Sequence, residues 1–318
     1  LEKGKANTVE QRAIANKYPI RMGTQIDCFQ ECENVHEISY KFITEIMNKY
    51  DYPYVICTKN KMVADEKYLK IYKSNVAFQF TLSTLNQDFL NVVESGASTA
   101  VERIGAIKKL SDLGYHVSVR VSPYIPEYMT DIDDLIETLA KNGTKHIICE
   151  LLRITPILNK LFIEKLNFNV IEYYKKMGVK CGSGAYFRYP LEKKIVFQKY
   201  VKSLCDKYGM TFATCADEDC SFHTVEMCCG LDYLEKFQGF PKATYIKAYK
   251  ICKEKGRVSF DEFISGGYCS DEKTMRKIWF EGYFENVLKN LQFDKDSGCY
   301  VWVECNKTLS KLNTKHQL

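Results

Sequence analysis

A short run of apolar and β-branched residues, followed by a longer helical pattern, recurs through the first half of the chain, and this alternation restricts the fold more than any other feature. The runs are 20–27, 54–58, 76–82, 116–121 and 146–151, each of strand length. Between them lie segments with apolar residues three or four apart, such as Val101, Ile104, Ile107 and Leu110, or Ile132, Leu135, Ile136 and Leu139. That spacing is one buried face of a helix. Gly114 and Gly143 follow two of these helices directly, where a left-handed cap ends a helix. Strands alternating with helices predict a parallel sheet covered by helices. The expected fold class is α/β, a partial and open (β/α)6 TIM-like barrel. Beyond about residue 155 the pattern lengthens into helical stretches at 158–177 and 191–208, with short strands expected at 179–181 and 211–214. From residue 215 the chain turns cysteine-rich, then helical, and ends on a strand-like 300–303. Three regions follow: a helical lead-in at 1–19, the barrel at 20–214, and a mostly helical, cysteine-containing portion at 215–318.

Composition removes several classes of function. No stretch approaches the roughly 18 to 20 apolar residues of a membrane-spanning helix, so no membrane partner is expected. Net charge is +5, with Lys and Arg interleaved with Asp and Glu along the chain, a weak footprint for nucleic acid. The chain opens on Leu1 and a polar, helix-like run at 10–17 without an apolar signal segment. A processed or fragmentary chain is expected from this. The fourteen cysteines are scattered apart from one cluster at 215–229. Thiols or metal-bound thiolates in a reducing, cytoplasmic setting are expected rather than a disulfide framework.

In a parallel barrel the C-terminal ends of the strands form the functional face. Here Asp27 ends the first run, Lys59 the second, Thr81 and Ser83 the third, Arg120 and Ser122 the fourth, and Glu150 with Arg153 the fifth. A single polar residue at a strand end is commonly a cap or a surface ion pair. Five successive strands ending this way favour a polar ligand bearing both charges. Lys and Arg pair with a carboxylate, Asp27 accepts from an ammonium, and the hydroxyls bond a ribose, so an amino acid joined to a nucleoside fits. Other small zwitterions and phosphorylated ligands fit the same residue types. Gly182, Ser183 and Gly184 are too short a match to count as a phosphate loop. A barrel hydrolase or lyase using Glu150 and Lys59 as acid and base is the alternative from another class, and an inactive binding homologue is a third.

The order of several segments adds to this. Residues 22–30 read Met-Gly-Thr-Gln-Ile-Asp-Cys-Phe-Gln, with Glu31 and Glu33 following, and residues 56–60 read Ile-Cys-Thr-Lys-Asn. Then come Phe80 to Asn86, Val93 to Ala97, Glu102 to Ile104, Leu110 to Gly114, and Val121 to Pro126. In this order, over roughly residues 20–155, the chain resembles the radical S-adenosylmethionine proteins of the spore photoproduct lyase-like group. Cys28 stands where that group usually has proline, and Glu127 where glycine is common. The resemblance implies S-adenosylmethionine and a [4Fe–4S] cluster as cofactors, and a reductant as partner. It also implies a 5′-deoxyadenosyl radical that abstracts hydrogen from a substrate, with a nucleic-acid lesion as one substrate class. Asp27, Lys59, Thr81, Ser83, Arg120 and Ser122 become the expected cofactor contacts, while the catalytic residue stays unassigned. The group's Cys-x3-Cys-x2-Cys cluster motif does not occur in this sequence and is expected upstream of residue 1. A second metal or cluster is expected on Cys215, Cys220, Cys228 and Cys229, near His223, because Thr214 to Asp217 and the Cys228, Cys229 pair resemble a segment of related radical enzymes. Free thiols are the plain alternative.

Overall fold

β-Branched and aromatic residues crowd the runs that become strands: β1 Ile20–Met22, β2 Tyr54–Thr58, β3 Val76–Thr81, β4 Val117–Tyr124 and β5 His146–Leu151. A short antiparallel pair, β6 Arg153–Ile154 with β7 Phe187–Arg188, precedes β8 Thr211–Thr214. The computed structural model describes residues 9–182, 186–215, 223–232, 234–237, 245–264 and 291–303. β1 to β5 and β8 form one sheet in the order β1-β2-β3-β4-β5-β8, with every pairing parallel. Spatial order follows chain order, and right-handed crossovers then bring every helix to the same side of the sheet. The result is a barrel wall with a covered and an inner face. β1 and β8 are its two edges, so the sheet does not close.

Alternation along each strand divides the two faces. Ile56, Phe78, Phe80, Val119, Val121, Ile147, Cys149 and Phe212 belong to one buried apolar cluster. That cluster includes Ile107 and Leu110 of helix Ala100–Asp112, Leu135 and Leu139 of helix Ile132–Lys141, and Val201 of helix Leu191–Lys207. Each such side chain contributes about 1.5–3 kcal/mol by leaving water. The residues between them face inward and are mostly small or polar, with Val55 and Ile148 as apolar exceptions. One register row runs Cys57, Gln79, Ser118, His146, Thr211 across five strands. Helix ends are closed by their own sequence: Thr99 and Glu102 form a reciprocal capping box on helix Ala100–Asp112.

The structure corrects three expected elements. β1 stops at Met22, because Gly23 turns the chain at φ +80 and a Cβ there would lie 2.1 Å from the Cys57 carbonyl oxygen. The expected helix at 158–177 is two helices, Pro156–Leu166 and Val170–Lys176, parted by Asn167 in the left-handed region. No strand forms at 179–181; the local pairing falls to β7 instead. Ser183 and Gly184 lie outside the described residues, as does Cys220.

Two compact units are distinguished, and residues 223–237 belong with the barrel. The second unit contains helices Tyr245–Lys255 and Phe260–Ile264 and a three-stranded antiparallel sheet. Its strands are β9 Arg257–Val258, β10 Leu291–Asp294 and β11 Cys299–Trp302, in the order β10-β11-β9. Ala248, Cys252, Val258, Phe260, Phe263, Leu291 and Tyr300 form a core of its own. Among the described residues no helix is long and apolar enough to cross a membrane.

Candidate functional site

The strand-end residues fall into two hydrogen-bonded groups. In the loop after β1, the Asp27 carboxylate accepts from Phe29 N at 2.9 Å, Thr58 Oγ1 at 2.9 Å and Lys59 N at 2.7 Å. Asp27 therefore shapes the turn after β2, with both oxygens engaged by the chain itself. From that turn Lys59 Nζ reaches Glu94 Oε1 at 3.2 Å. Glu94 is buried and pairs with the equally buried Arg103 at 2.5 Å. Arg103 also donates to the carbonyls of Thr81 at 2.9 Å and Ser98 at 2.7 Å, so one buried ion pair joins Lys59 to the end of β3.

The second group gathers on Glu150, a buried carboxylate at the end of β5. It accepts from Arg120 Nη2, from Ser122 Oγ at 3.2 Å and from Arg153 Nη2 at 2.5 Å. The other arm of Arg120 donates to Cys215 Sγ at 3.3 Å, just past β8. Burial pulls the Arg120 pKa down, but Cys215 and Glu150 more than offset this and hold it raised. Glu150 is thus a tethered counter-ion, a different environment from that of a free acid or base. Between the two groups Ser83 is 1% exposed, and its hydroxyl has no hydrogen-bond partner among the described residues. Thr81 and Arg120 are register partners on neighbouring strands.

Deeper on the inner face lies a set that sequence reasoning missed. Arg21 of β1 donates to Gln79 Oε1 at 2.8 Å, Cys229 Sγ at 3.3 Å and Cys57 Sγ at 3.4 Å. Burial opposes its charge, yet the sulfurs of Cys229 and Cys57 outweigh that and keep the guanidinium pKa raised. Cys228 Sγ lies 4.0 Å from Cys229 Sγ. A hydrogen bond with Cys228, and then burial, pushes the Cys215 thiol up, with Arg120 opposing. Three of the four cluster cysteines are therefore drawn into one thiol and guanidinium network, with Cys57 added. Among the described residues no group of three or more His, Cys, Asp or Glu is arranged to hold a metal ion. Guanidinium groups stand against two of these sulfurs. The signal for this lining was present in the sequence as a polar residue at every second position, clearest in Ser118, Arg120 and Ser122 of β4.

The segment 223–232 covers the lower part of this face. Thr214 N donates to His223 Nε2 at 2.9 Å, and Thr224 N to the Phe212 carbonyl at 3.0 Å. His146 is fully buried, with Nδ1 2.9 Å from Thr211 Oγ1 and Nε2 2.9 Å from the Cys228 carbonyl. Gly230 packs on the same ring so closely that a Cβ would come within 2.3 Å of it. His116 and His146 are structural groups of this closure, and burial lowers each to about 4.

No protein-family model matches the sequence. The uncharacterized protein ORF301 of Acidianus two-tailed virus is 25% identical over 136 residues, a stretch that covers 41% of this chain and 45% of that protein. This chain therefore aligns with less than half the length of that relative. Among solved structures, a mutant spore photoproduct lyase, free and with dinucleoside spore photoproduct, superimposes with a TM-score of 0.51 at 16% identity. The match covers 65% of this chain and 66% of the lyase. At that identity the likeness is one of fold, an α/β barrel.

Proposed function

We propose that the strand-end face of the barrel binds S-adenosylmethionine, and that the chain serves a radical enzyme of the spore photoproduct lyase kind. The observation that carries this is the Ser83 hydroxyl, buried without a hydrogen-bond partner among the described residues, just past β3, the strand between β2, which leads to Lys59, and β4, which carries Arg120. An unpaired buried hydroxyl costs about 1–3 kcal/mol, which a ligand's hydrogen bond recovers. On this reading Lys59, part exposed and steadied by Glu94, takes the ligand carboxylate. Thr81, Ser83 and Ser122 address its hydroxyls, Arg120 and Glu150 set the charge of the floor, and Asp27 holds the turn that presents Lys59. Held together by the sheet, these groups fix the ligand's orientation and exclude water from it.

The [4Fe–4S] cluster fits no described group: the sequence has no Cys-x3-Cys-x2-Cys spacing, and no three ligating side chains converge. Its cysteines are assigned in this proposal to a segment upstream of residue 1. A nucleic-acid lesion is the proposed substrate class, supported by the shared fold and the ordered segments of the sequence. Eleven described cysteines are free of disulfides, which supports a reducing compartment such as the cytoplasm.

Titration calorimetry with S-adenosylmethionine tests the site. Lys59→Ala is expected to weaken binding by about 1.5–3 kcal/mol, the worth of a charge-assisted hydrogen bond. Ser83→Ala is expected to weaken it by about 1 kcal/mol while raising the melting temperature of the ligand-free chain, because the substitution removes an unpaired buried group. Unchanged affinity in both variants would end the proposal.

A further inference from the structure

We propose that a cavity at the strand-end side of the barrel binds a small organic cation, an ammonium or guanidinium on an apolar stem, at a site separate from that of S-adenosylmethionine. The cavity holds about 740 Å³. Three stretches of chain enclose it: the loop after β3 with the first turn of helix Gln87–Val93, the loop after β4, and the last turn of helix Pro156–Leu166. All of them belong to the barrel unit. A cleft of this volume is of the size that takes a small molecule.

The charge of the lining is negative. Among the described residues Asp88, Asp131 and Glu164 line the cavity against one cation, Lys165, which lies 3.2 Å from Glu164. Asp131 is the least exposed of the three acids. Its Oδ2 accepts from Thr84 Oγ1 and from Leu85 N, each at 2.6 Å, while its Oδ1 is buried and has no hydrogen-bond partner among the described residues. Asp27, by contrast, has both oxygens engaged by the chain. A carboxylate left half satisfied favours a donor that also brings positive charge.

The remaining walls suit the body of such a cation. Phe89 and Tyr128 both line the cavity, with ring centroids 5.9 Å apart, and Tyr128 stacks on Phe168 at 4.4 Å. Aromatic faces attract a cation within about 6 Å of the ring centre. Helix Pro156–Leu166 ends at the cavity on Asn167, in the left-handed region, so the negative end of its dipole lies there too. A hard divalent ion takes about six or more oxygen ligands, and rings supply none. An organic cation uses the carboxylates and the rings together.

Isothermal titration of the full chain with 2-phenylethylammonium at low ionic strength tests this, with 2-phenylethanol as a neutral probe of the same shape. The ammonium is expected to bind about tenfold more tightly than the alcohol, the effect of one charge-assisted hydrogen bond, and Asp131→Asn should remove most of that preference. Asp88→Asn, at an exposed position, should weaken the ammonium roughly threefold, and it keeps the site readable if Asp131→Asn fails to fold. Equal affinity for ammonium and alcohol, or wild-type affinity in both variants, would overturn the proposal. So would no binding of the ammonium, or its displacement by magnesium or calcium. Displacement of the probe by S-adenosylmethionine would make the cavity part of the strand-end site and overturn its independence. Lys59→Ala and Ser83→Ala are expected to bind the ammonium as the wild-type chain does, so failure of either site leaves the other standing.

Discussion

Two side chains show how individual residues decide local outcomes. Glu127 sits at φ +63, a conformation that costs a non-glycine residue about 1–2 kcal/mol. It also accepts from Tyr189 Oη at 2.8 Å to both oxygens, and from Tyr173 Oη. Hydrogen bonds to a charged group are worth about 1.5–3 kcal/mol each, so the bonds outweigh the strain. Glu127→Gly, which relieves the backbone, is therefore expected to destabilise the chain by about 2 kcal/mol in urea unfolding; a gain in stability would show that the tyrosines contribute nothing. Arg103 gives a sharper case. Removing it leaves Glu94 charged, buried and held only by Lys59. Arg103→Met is expected to cost about 3–5 kcal/mol, whereas Arg103→Met with Glu94→Met recovers most of that loss. At this scale the sequence was readable for Lys59, Arg120 and Ser122 because polar residues at strand ends stand out. Glu94 and Arg103 lay within the ordered segments of the resemblance, but nothing in the sequence showed that the fold buries and pairs them.

Among the elements, strands β2 to β5 and β8 were legible because β-branched runs bounded by helical patterns have few other readings. β1 was overread, since nothing in Thr24 to Asp27 shows that Gly23 has turned the chain under the Cys57 carbonyl. The break at Asn167 was equally hidden, as its flanking apolar spacing continues the helical pattern. The contact between β5 and segment 223–232 has a measurable signature in acid. His116 and His146 have folded pKa values near 4 because burial opposes their charge, against an ordinary value of 6.5. The unfolded chain then binds more protons than the folded one between these values. Their contribution to stability is complete above pH 6.5 and is lost as pH falls toward 4. Unfolding free energies from urea titrations at pH 7.5 and 5.0 are expected to differ by about 2 kcal/mol for each ring. His146→Gln should shrink that difference, and an unchanged difference would place the proton uptake elsewhere.

The whole molecule divides more sharply than its sequence suggests. Segment order disclosed the barrel over residues 20–155. In the second unit the strand expected at 300–303 is β11, whereas β9 and β10 are too short to show alternation. The barrel wall has one further property. Each pairing from β1 to β5 joins strands consecutive in the chain, while the segment that covers their inner side lies beyond β8. Growth from the ribosome therefore lays down the wall in the order of its synthesis. Arg21, Cys57, Gln79 and His146 stay hydrated until residues 223–232 emerge, and the desolvation of four polar side chains is deferred to a single late step.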